Sequence, residues 1–108
     1  MRYQVFLTND AAYDIEGLYD YIEFNDAPEK ADDVLDKIEA TFLSLSENPE
    51  RGAFPKELLV FGLREYREIY FKSYRIIYRI IDVNVYVMVV ADGRRDMHTL
   101  LQRRLLQG

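Results

Sequence analysis

The carboxyl-terminal half of the chain is rich in arginine. Residues 61–108 contain 9 Lys/Arg and 5 Asp/Glu, which gives a net charge of +4, and eight of these nine cations are arginine. They are Arg64, Arg67, Arg75, Arg79, Arg94, Arg95, Arg103 and Arg104. The planar guanidinium binds carboxylates and phosphates through two parallel hydrogen bonds. This half of the chain is therefore expected to bind an acidic or anionic partner.

Two of these arginines occupy positions from which they could hold one anion. Arg75 lies in a segment of alternating apolar residues, and Arg95 follows a second apolar run. Two arginines at neighbouring strand ends could clamp a phosphate and stabilise charge that develops during phosphoryl transfer. Alternatively, Arg75 could pair with Glu68 or Glu65 on the adjacent strand. The residues themselves leave both interpretations open.

Composition narrows the class of protein. Residues 1–60 hold 5 Lys/Arg and 14 Asp/Glu, a net charge of −9, and the whole chain has a net charge of −5. The chain of 108 residues has no cysteine, which excludes thiol nucleophiles and Cys-ligated metals. Its length and 49% hydrophobic content predict one domain over residues 1–108. The longest apolar run, residues 85–91, is too short to span a membrane, and the first ten residues do not resemble a secretory signal.

The first part of the chain predicts one strand and two helices. Alternating residues in 2–7 predict a half-buried strand. Thr8 can cap a first amphipathic helix, and a second helix is predicted to start at Asp26, where Glu29 completes a capping box. That helix should end before Pro49. Two helices with a short polar joint form an antiparallel hairpin.

The second part predicts a sheet. Residues 48–62 read as an irregular connection, because Asn-Pro, Arg-Gly and Phe-Pro pairs interrupt it. Residues 74–81 and 85–90 predict a β-hairpin, and 63–71 predict a further strand beside the first of these, with a bulge or an edge position. Asp96 can cap a short final helix. The predicted order is β-α-α-β-β-β-α, an α+β fold.

Alternation along the segment 74–81 also divides its two faces. Arg75 and Arg79 are expected to share one face. The other face, which should lie against the helical hairpin, is expected to carry Tyr74, Ile76, Tyr78 and Ile80.

Five segments in combination resemble the RelE/ParE toxin superfamily. They are LTNDAAYDIEGLYDYI (7–22), LSENPERG (45–52), GLREYR (62–67), YRIIYRI (74–80) and DGRRDMHTLLQRRL (92–105). The resemblance extends over essentially the whole chain. It implies a helical hairpin laid over a twisted antiparallel sheet. It also implies the toxic half of a type II toxin–antitoxin pair, acting in the cytoplasm without a cofactor or metal.

The RNA-cleaving branch of the superfamily would assign chemistry to four residues. Arg75 and Arg95 match arginines that hold the scissile phosphate in those relatives, whereas Lys72 and His98 are candidates for proton transfer. The match is incomplete, because Leu100 and Leu101 occupy the stretch where those relatives offer a tyrosine. His98 is better explained as a partly solvated residue in a first helical turn, with no chemical role.

The gyrase-poisoning ParE branch resembles the chain better. The chain shares its GLRE and GRRD elements, and it lacks a complete acid–base set. A protein with a pI near 4.8 is also poorly suited to compete for messenger RNA phosphates in the ribosome. This branch implies binding to DNA gyrase, with a basic target-binding surface. Its predicted residues are Arg94, Arg95, Arg103 and Arg104.

The superfamily also implies a cognate antitoxin of the ParD or RelB type, held in a hetero-oligomer with the toxin. A disordered antitoxin segment that folds on its toxin needs an apolar surface. The aromatic residues least easily buried in the predicted elements are Tyr13, Tyr21, Phe24, Tyr66 and Tyr70, and we expect them to form that surface. The alternatives are a ribosome-dependent messenger RNA endonuclease and a binding module without toxicity.

Overall fold

A four-stranded sheet forms the centre of the computed structural model, which describes residues 2–106. The strands are β1 (Gln4–Leu7), β2 (Tyr66–Phe71), β3 (Tyr74–Ile81) and β4 (Asn84–Asp92). Their order in the sheet is β1-β4-β3-β2. The β1–β4 pair is parallel, and the β2–β3 and β3–β4 pairs are antiparallel. The predicted α+β class and the predicted β3–β4 hairpin are confirmed.

Helices cover both faces of this sheet. They are α1 (Asn9–Asn25), α2 (Pro28–Leu43), α3 (Lys56–Leu59) and α4 (Met97–Leu101), followed by a π-helical turn (Gln102–Leu106). The α1–α2 hairpin packs on one face, and α3 and α4 pack on the other. Among the helices of residues 2–106, none combines the length and the apolar character that crossing a membrane would require.

Local capping chemistry explains where two of the helices begin. The Thr8 hydroxyl accepts a hydrogen bond from the Ala11 N–H at 3.1 Å, and the Asp96 carboxylate accepts one from the Thr99 N–H at 3.1 Å. Both predicted caps are confirmed. The predicted cap at Asp26 is wrong, because α2 begins at Pro28 and Ala27 occupies the cap position without a side-chain bond. Proline favours the first helical position and forces the residue before it into extended geometry.

The two faces of β3 bury different clusters. Ile76 and Tyr78 are fully buried against the α1–α2 hairpin, and Tyr74 and Ile80 pack beside them. Ile77 points to the opposite face, into the cluster under α3 and α4. The predicted division of the strand faces is therefore confirmed.

Two boundaries differ from the sequence prediction. The strand expected over 63–71 begins at Tyr66, and the connection expected over 48–62 contains the short helix α3. A helix of four residues is too short to show a hydrophobic period. Of the bulge or edge position expected for this strand, the edge position is observed, because β2 ends the sheet and its ladder with β3 runs without interruption. A bulge lies instead in the β3–β4 ladder, between Ile77 and Tyr78.

Candidate functional site

A cleft of about 570 Å³ opens where the β2–β3 turn meets the start of α4, and we call it the sheet cleft. Four of its lining residues are those that a phosphodiester-cleaving site would use: Lys72, Arg75, Arg95 and His98. Lys56 lines the same cleft from α3. The fold therefore brings these cationic side chains and the histidine to one place.

The floor of the sheet cleft is a buried ion triad. Arg75 on β3 lies between Glu57 on α3 and Glu68 on β2, and all three residues are at most 7% exposed. Arg75 Nη1 and Nη2 donate to the two carboxylate oxygens of Glu57 at 2.7 and 2.8 Å. Its Nε donates to Glu68 Oε1 at 2.7 Å, and Nη2 also donates to that oxygen. The guanidinium thus directs four of its hydrogen bonds at protein carboxylates.

These contacts shift the proton equilibria of the triad. Hydrogen bonds from Arg75 lower the pKa of Glu57 from 4.5 to about 2, against the opposing effect of burial. Hydrogen bonds from Glu57 raise the pKa of Arg75. Glu57 and Arg75 are therefore both charged across the physiological range of pH.

The lowered pKa of Glu57 predicts an acid-dependent loss of stability. Because the folded-state pKa lies below the unfolded value, the stabilisation is present above about pH 4.5 and is lost as the pH falls towards about 2. Urea unfolding of the wild type and of Glu57→Gln should show a difference in unfolding free energy that narrows by roughly 3 kcal/mol between pH 6 and pH 2. Parallel pH curves for the two proteins would show that the Glu57–Arg75 pair does not stabilise the fold.

The rim of the sheet cleft is exposed and loosely organised. Lys72 lies in the β2–β3 turn with a φ of 52°, and His98 is exposed in the first turn of α4. Arg95 is exposed and forms no salt bridge within residues 2–106. Across the same residues, no hydrogen bond joins the side chains of Lys72, Arg95 and His98. The rim therefore presents cations, without an assembled pair of proton-transfer groups.

The four arginines predicted to bind a target have different environments. Arg94 is exposed and pairs with Asp92, and its hydrogen bond lowers the pKa of that carboxyl. Arg95 and Arg103 are exposed. Arg104 instead binds both oxygens of Asp14 on α1, at 2.9 and 3.0 Å, and its side chain is 16% exposed. Arg104 ties the carboxyl-terminal turn to α1, so the expectation that it lies on an open recognition surface is corrected.

A second cavity, of about 560 Å³, lies between α1 and the end of β4, and we call it the α1 groove. Tyr13 and Tyr21 line it from α1, and Tyr74 lines it from β3. Gly17 lies between the two α1 tyrosines, one helical turn from each, and also lines the groove. Arg94 and Arg95 also line the groove, and Arg95 lines the sheet cleft as well.

The predicted aromatic surface divides into three parts. Tyr13, Tyr21 and Phe24 are exposed along α1, and Phe24 is 89% exposed. Tyr70 is exposed at the sheet cleft, where its hydroxyl donates to Glu68 Oε2 at 3.1 Å. Tyr66 is buried in the cluster under α3 and α4, because its β2 position faces that core, and it is removed from the exposed set.

Two site residues escaped the sequence reasoning. Glu57 was missed because α3 was predicted as irregular connection, and no pattern in its segment identifies it as the partner of Arg75. Gly17 was missed although a signal existed, since a glycine inside a helix costs about 1 kcal/mol relative to alanine and so indicates a local need for space. Within the described part of the chain, no three His, Asp or Glu side chains are grouped so that they could hold a metal ion.

A family model and several solved structures match this chain. A family model described as the ParE toxin of a type II toxin–antitoxin system matches residues 5–97. Among curated protein sequences, none matches the chain significantly.

Three solved structures share the fold. The chromosomal ParDE toxin–antitoxin system from P. aeruginosa matches with a TM-score of 0.71 and 17% identity, over 84% of this chain and 96% of that chain. The RelBE2 toxin–antitoxin complex from Mycobacterium tuberculosis matches with a TM-score of 0.62 and 23% identity, over 85% of this chain and 99% of that chain. A mutant of the E. coli toxin RelE with two arginines replaced by alanine, in the free state, matches with a TM-score of 0.64 and 17% identity, over 99% of this chain and 97% of that chain.

Proposed function

Because the chain belongs to the ParE toxin family of type II toxin–antitoxin systems, we propose that it poisons DNA gyrase and that a cognate ParD- or RelB-like antitoxin neutralises it. In this proposal the toxin binds gyrase in the cytoplasm and traps its cleaved DNA complex. It needs a recognition surface for this and no catalytic group of its own. Before release, it is held in a hetero-oligomer with its antitoxin.

The occupied guanidinium of Arg75 is the observation that carries this proposal. A nuclease of this fold would need a deep, free cation to hold the scissile phosphate. Arg75 is the deepest cation of the sheet cleft, and Glu57 and Glu68 already accept its hydrogen bonds. To bind Arg75 through two parallel hydrogen bonds, a phosphodiester would have to displace a carboxylate from a buried pair, which costs about 3 to 5 kcal/mol when one partner is left alone.

The exposed arginines supply the recognition surface in this proposal. Arg94 and Arg95 line the α1 groove, and Arg103 is exposed after α4. Exposed cations on one side of a protein speed its encounter with an acidic partner. They contribute little to the stability of the toxin itself, so charge reversal there should leave the fold intact.

The α1 groove is the proposed seat of the antitoxin. Its lining combines the rings of Tyr13 and Tyr21 with an open space at Gly17, where an added Cβ would meet no atom within 4 Å. Phe24 extends the same aromatic stripe beyond the groove. Apolar side chains of a folding antitoxin segment could fill this space, and Arg94 and Arg95 could pair with acidic residues of that segment.

A second candidate, a ribosome-dependent messenger RNA endonuclease, is favoured by one observation. Lys72, Arg95 and His98 line the same cleft as Arg75. In this alternative, the ribosome and the message complete a site that is not assembled in the free protein, and His98 transfers a proton.

Expression experiments test the partner dependence of the toxin. Induced alone, the protein should arrest growth, and co-expression of the antitoxin encoded beside it should restore colony formation. The Gly17→Leu variant should keep its toxicity and escape the antitoxin, because the new side chain fills the α1 groove while helix propensity rises by about 1 kcal/mol. Ala40→Leu, an exposed alanine on α2, is the matched control and should be neutralised like the wild type.

Two results would count against this assignment. Normal colony formation during strong expression without antitoxin would remove the toxin proposal. Neutralisation of Gly17→Leu as efficient as that of Ala40→Leu would place the antitoxin elsewhere on the surface.

A further inference from the structure

The triad of Glu57, Arg75 and Glu68 contains one carboxylate more than its guanidinium requires. A single carboxylate would neutralise Arg75, yet two are buried against it and leave a net charge of −1 at the floor of the sheet cleft. A buried charge in excess of its partners costs several kcal/mol. Packing alone does not account for the burial of a second carboxylate. Its presence therefore indicates a role in selecting which ligands can bind in the sheet cleft.

The hydrogen bonds of the floor leave one of the five guanidinium N–H groups, on Nη1, to offer to an anion. Each oxygen of Glu57 accepts from Arg75, and Glu68 Oε1 accepts from both Nε and Nη2. The remaining oxygen, Glu68 Oε2, accepts from Tyr70 and is a further acceptor at the cleft wall. A phosphate oxygen that reached this floor would meet one unused N–H group, several acceptors and a surplus negative charge.

We propose that Glu57 and Glu68 are specificity-determining residues that close the sheet cleft to phosphodiesters, by engaging four of the five N–H groups of Arg75 and by keeping the floor negative. This inference rests on the proposed function, since it explains how a toxin of this fold with cations at its rim would avoid binding RNA. The cations at the rim then interact with solvent or with a protein partner. They are Lys56, Lys72 and Arg95. Removing both acids converts the floor into an anion site.

Binding of a short fluorescent oligouridylate, measured by anisotropy at two salt concentrations, tests this role. The variant Glu57→Gln/Glu68→Gln should bind about 10- to 100-fold more tightly than the wild type, because Arg75 gains free donors for a charge-assisted contact. Its affinity should also fall more steeply with salt, since an additional cation engages the RNA. Circular dichroism establishes that the variant is folded.

The matched control is Glu23→Gln/Glu39→Gln, which changes the net charge equally at exposed positions on α1 and α2, outside the sheet cleft. It should bind RNA within about threefold of the wild type, the change expected from screened surface charge. Equal gains in both double variants would overturn the proposal, because general charge would then explain the effect. A folded cleft variant without any gain would overturn it as well.

A measurement on the wild type keeps the proposal testable if the cleft variant does not fold. The NMR resonance of the Arg75 Nε–H should not move when inorganic phosphate or the oligouridylate is added, and this result supports the proposal. A saturable shift of that resonance would overturn it. Neither measurement involves gyrase, so failure of the gyrase proposal and failure of this inference are distinguishable.

Discussion

Replacement of Ile76 by Asp is expected to abolish cooperative folding. Ile76 is fully buried at the centre of β3, against the α1–α2 hairpin. An unpaired carboxylate at this position would cost several kcal/mol, against a total stability of roughly 5 to 15 kcal/mol for a domain of this size. Thermal melts followed by circular dichroism should therefore show no cooperative transition in the variant.

Ile81→Asp is the matched control, because Ile81 ends the same strand and is 43% exposed. Its melting temperature should stay within a few degrees of the wild type, as is usual for exposed substitutions. If Ile76→Asp melted cooperatively at the wild-type temperature, the assignment of the β3 faces would be wrong.

Charge reversal at the two exposed arginines beside the α1 groove should have the largest effect on toxicity. In the variant Arg94→Glu/Arg95→Glu, two negative charges would face an acidic partner and repel it. Because this repulsion costs several kcal/mol, the affinity of the toxin for its target should fall by about 10²-fold or more. Induction of this variant should leave colony formation nearly normal. Lys30→Glu/Lys37→Glu on α2 changes the net charge equally, far from these cavities, and should remain toxic.

His98→Ala provides the opposing test. In the gyrase proposal His98 transfers no proton, so its removal should change toxicity little. In the nuclease alternative the same substitution should lower RNA cleavage by about 10² to 10⁴ without affecting folding. A harmless His98→Ala variant would favour the nuclease. Loss of toxicity in Arg94→Glu/Arg95→Glu alone does not separate the two functions, because the nuclease alternative also uses Arg95.

The sequence predicts the elements of this fold where local chemistry decides them. Alternation defines the faces of β3, and Thr8 and Asp96 each offer a side-chain oxygen to an unpaired helical N–H. The prediction of an element's start or pairing fails where competing residues nearby, or residues far away in the chain, determine it. Pro28 moves the start of α2 away from Asp26. The parallel pairing of β1 with β4 joins residues eighty positions apart in the chain, which no local pattern indicates.

The contacts of the candidate site also divide into those that could be predicted from the sequence and those that could not. Pairing of Arg75 with Glu68 is one of the two interpretations open from the sequence, because the residues lie on strands predicted to be neighbours. Glu57 is absent from that prediction, since only the tertiary packing of α3 brings it to the cleft. The Asp14–Arg104 pair, ninety residues apart, could not be predicted for the same reason.

Purified components test most directly whether the toxin acts on gyrase. The protein should inhibit supercoiling by DNA gyrase and cause cleaved DNA to accumulate, whereas an in vitro translation reaction with the same concentration of toxin should proceed with its messenger RNA intact. Unimpaired supercoiling, together with rapid codon-phased loss of messenger RNA that His98→Ala abolishes, would contradict this claim and identify the protein as a ribosome-dependent nuclease.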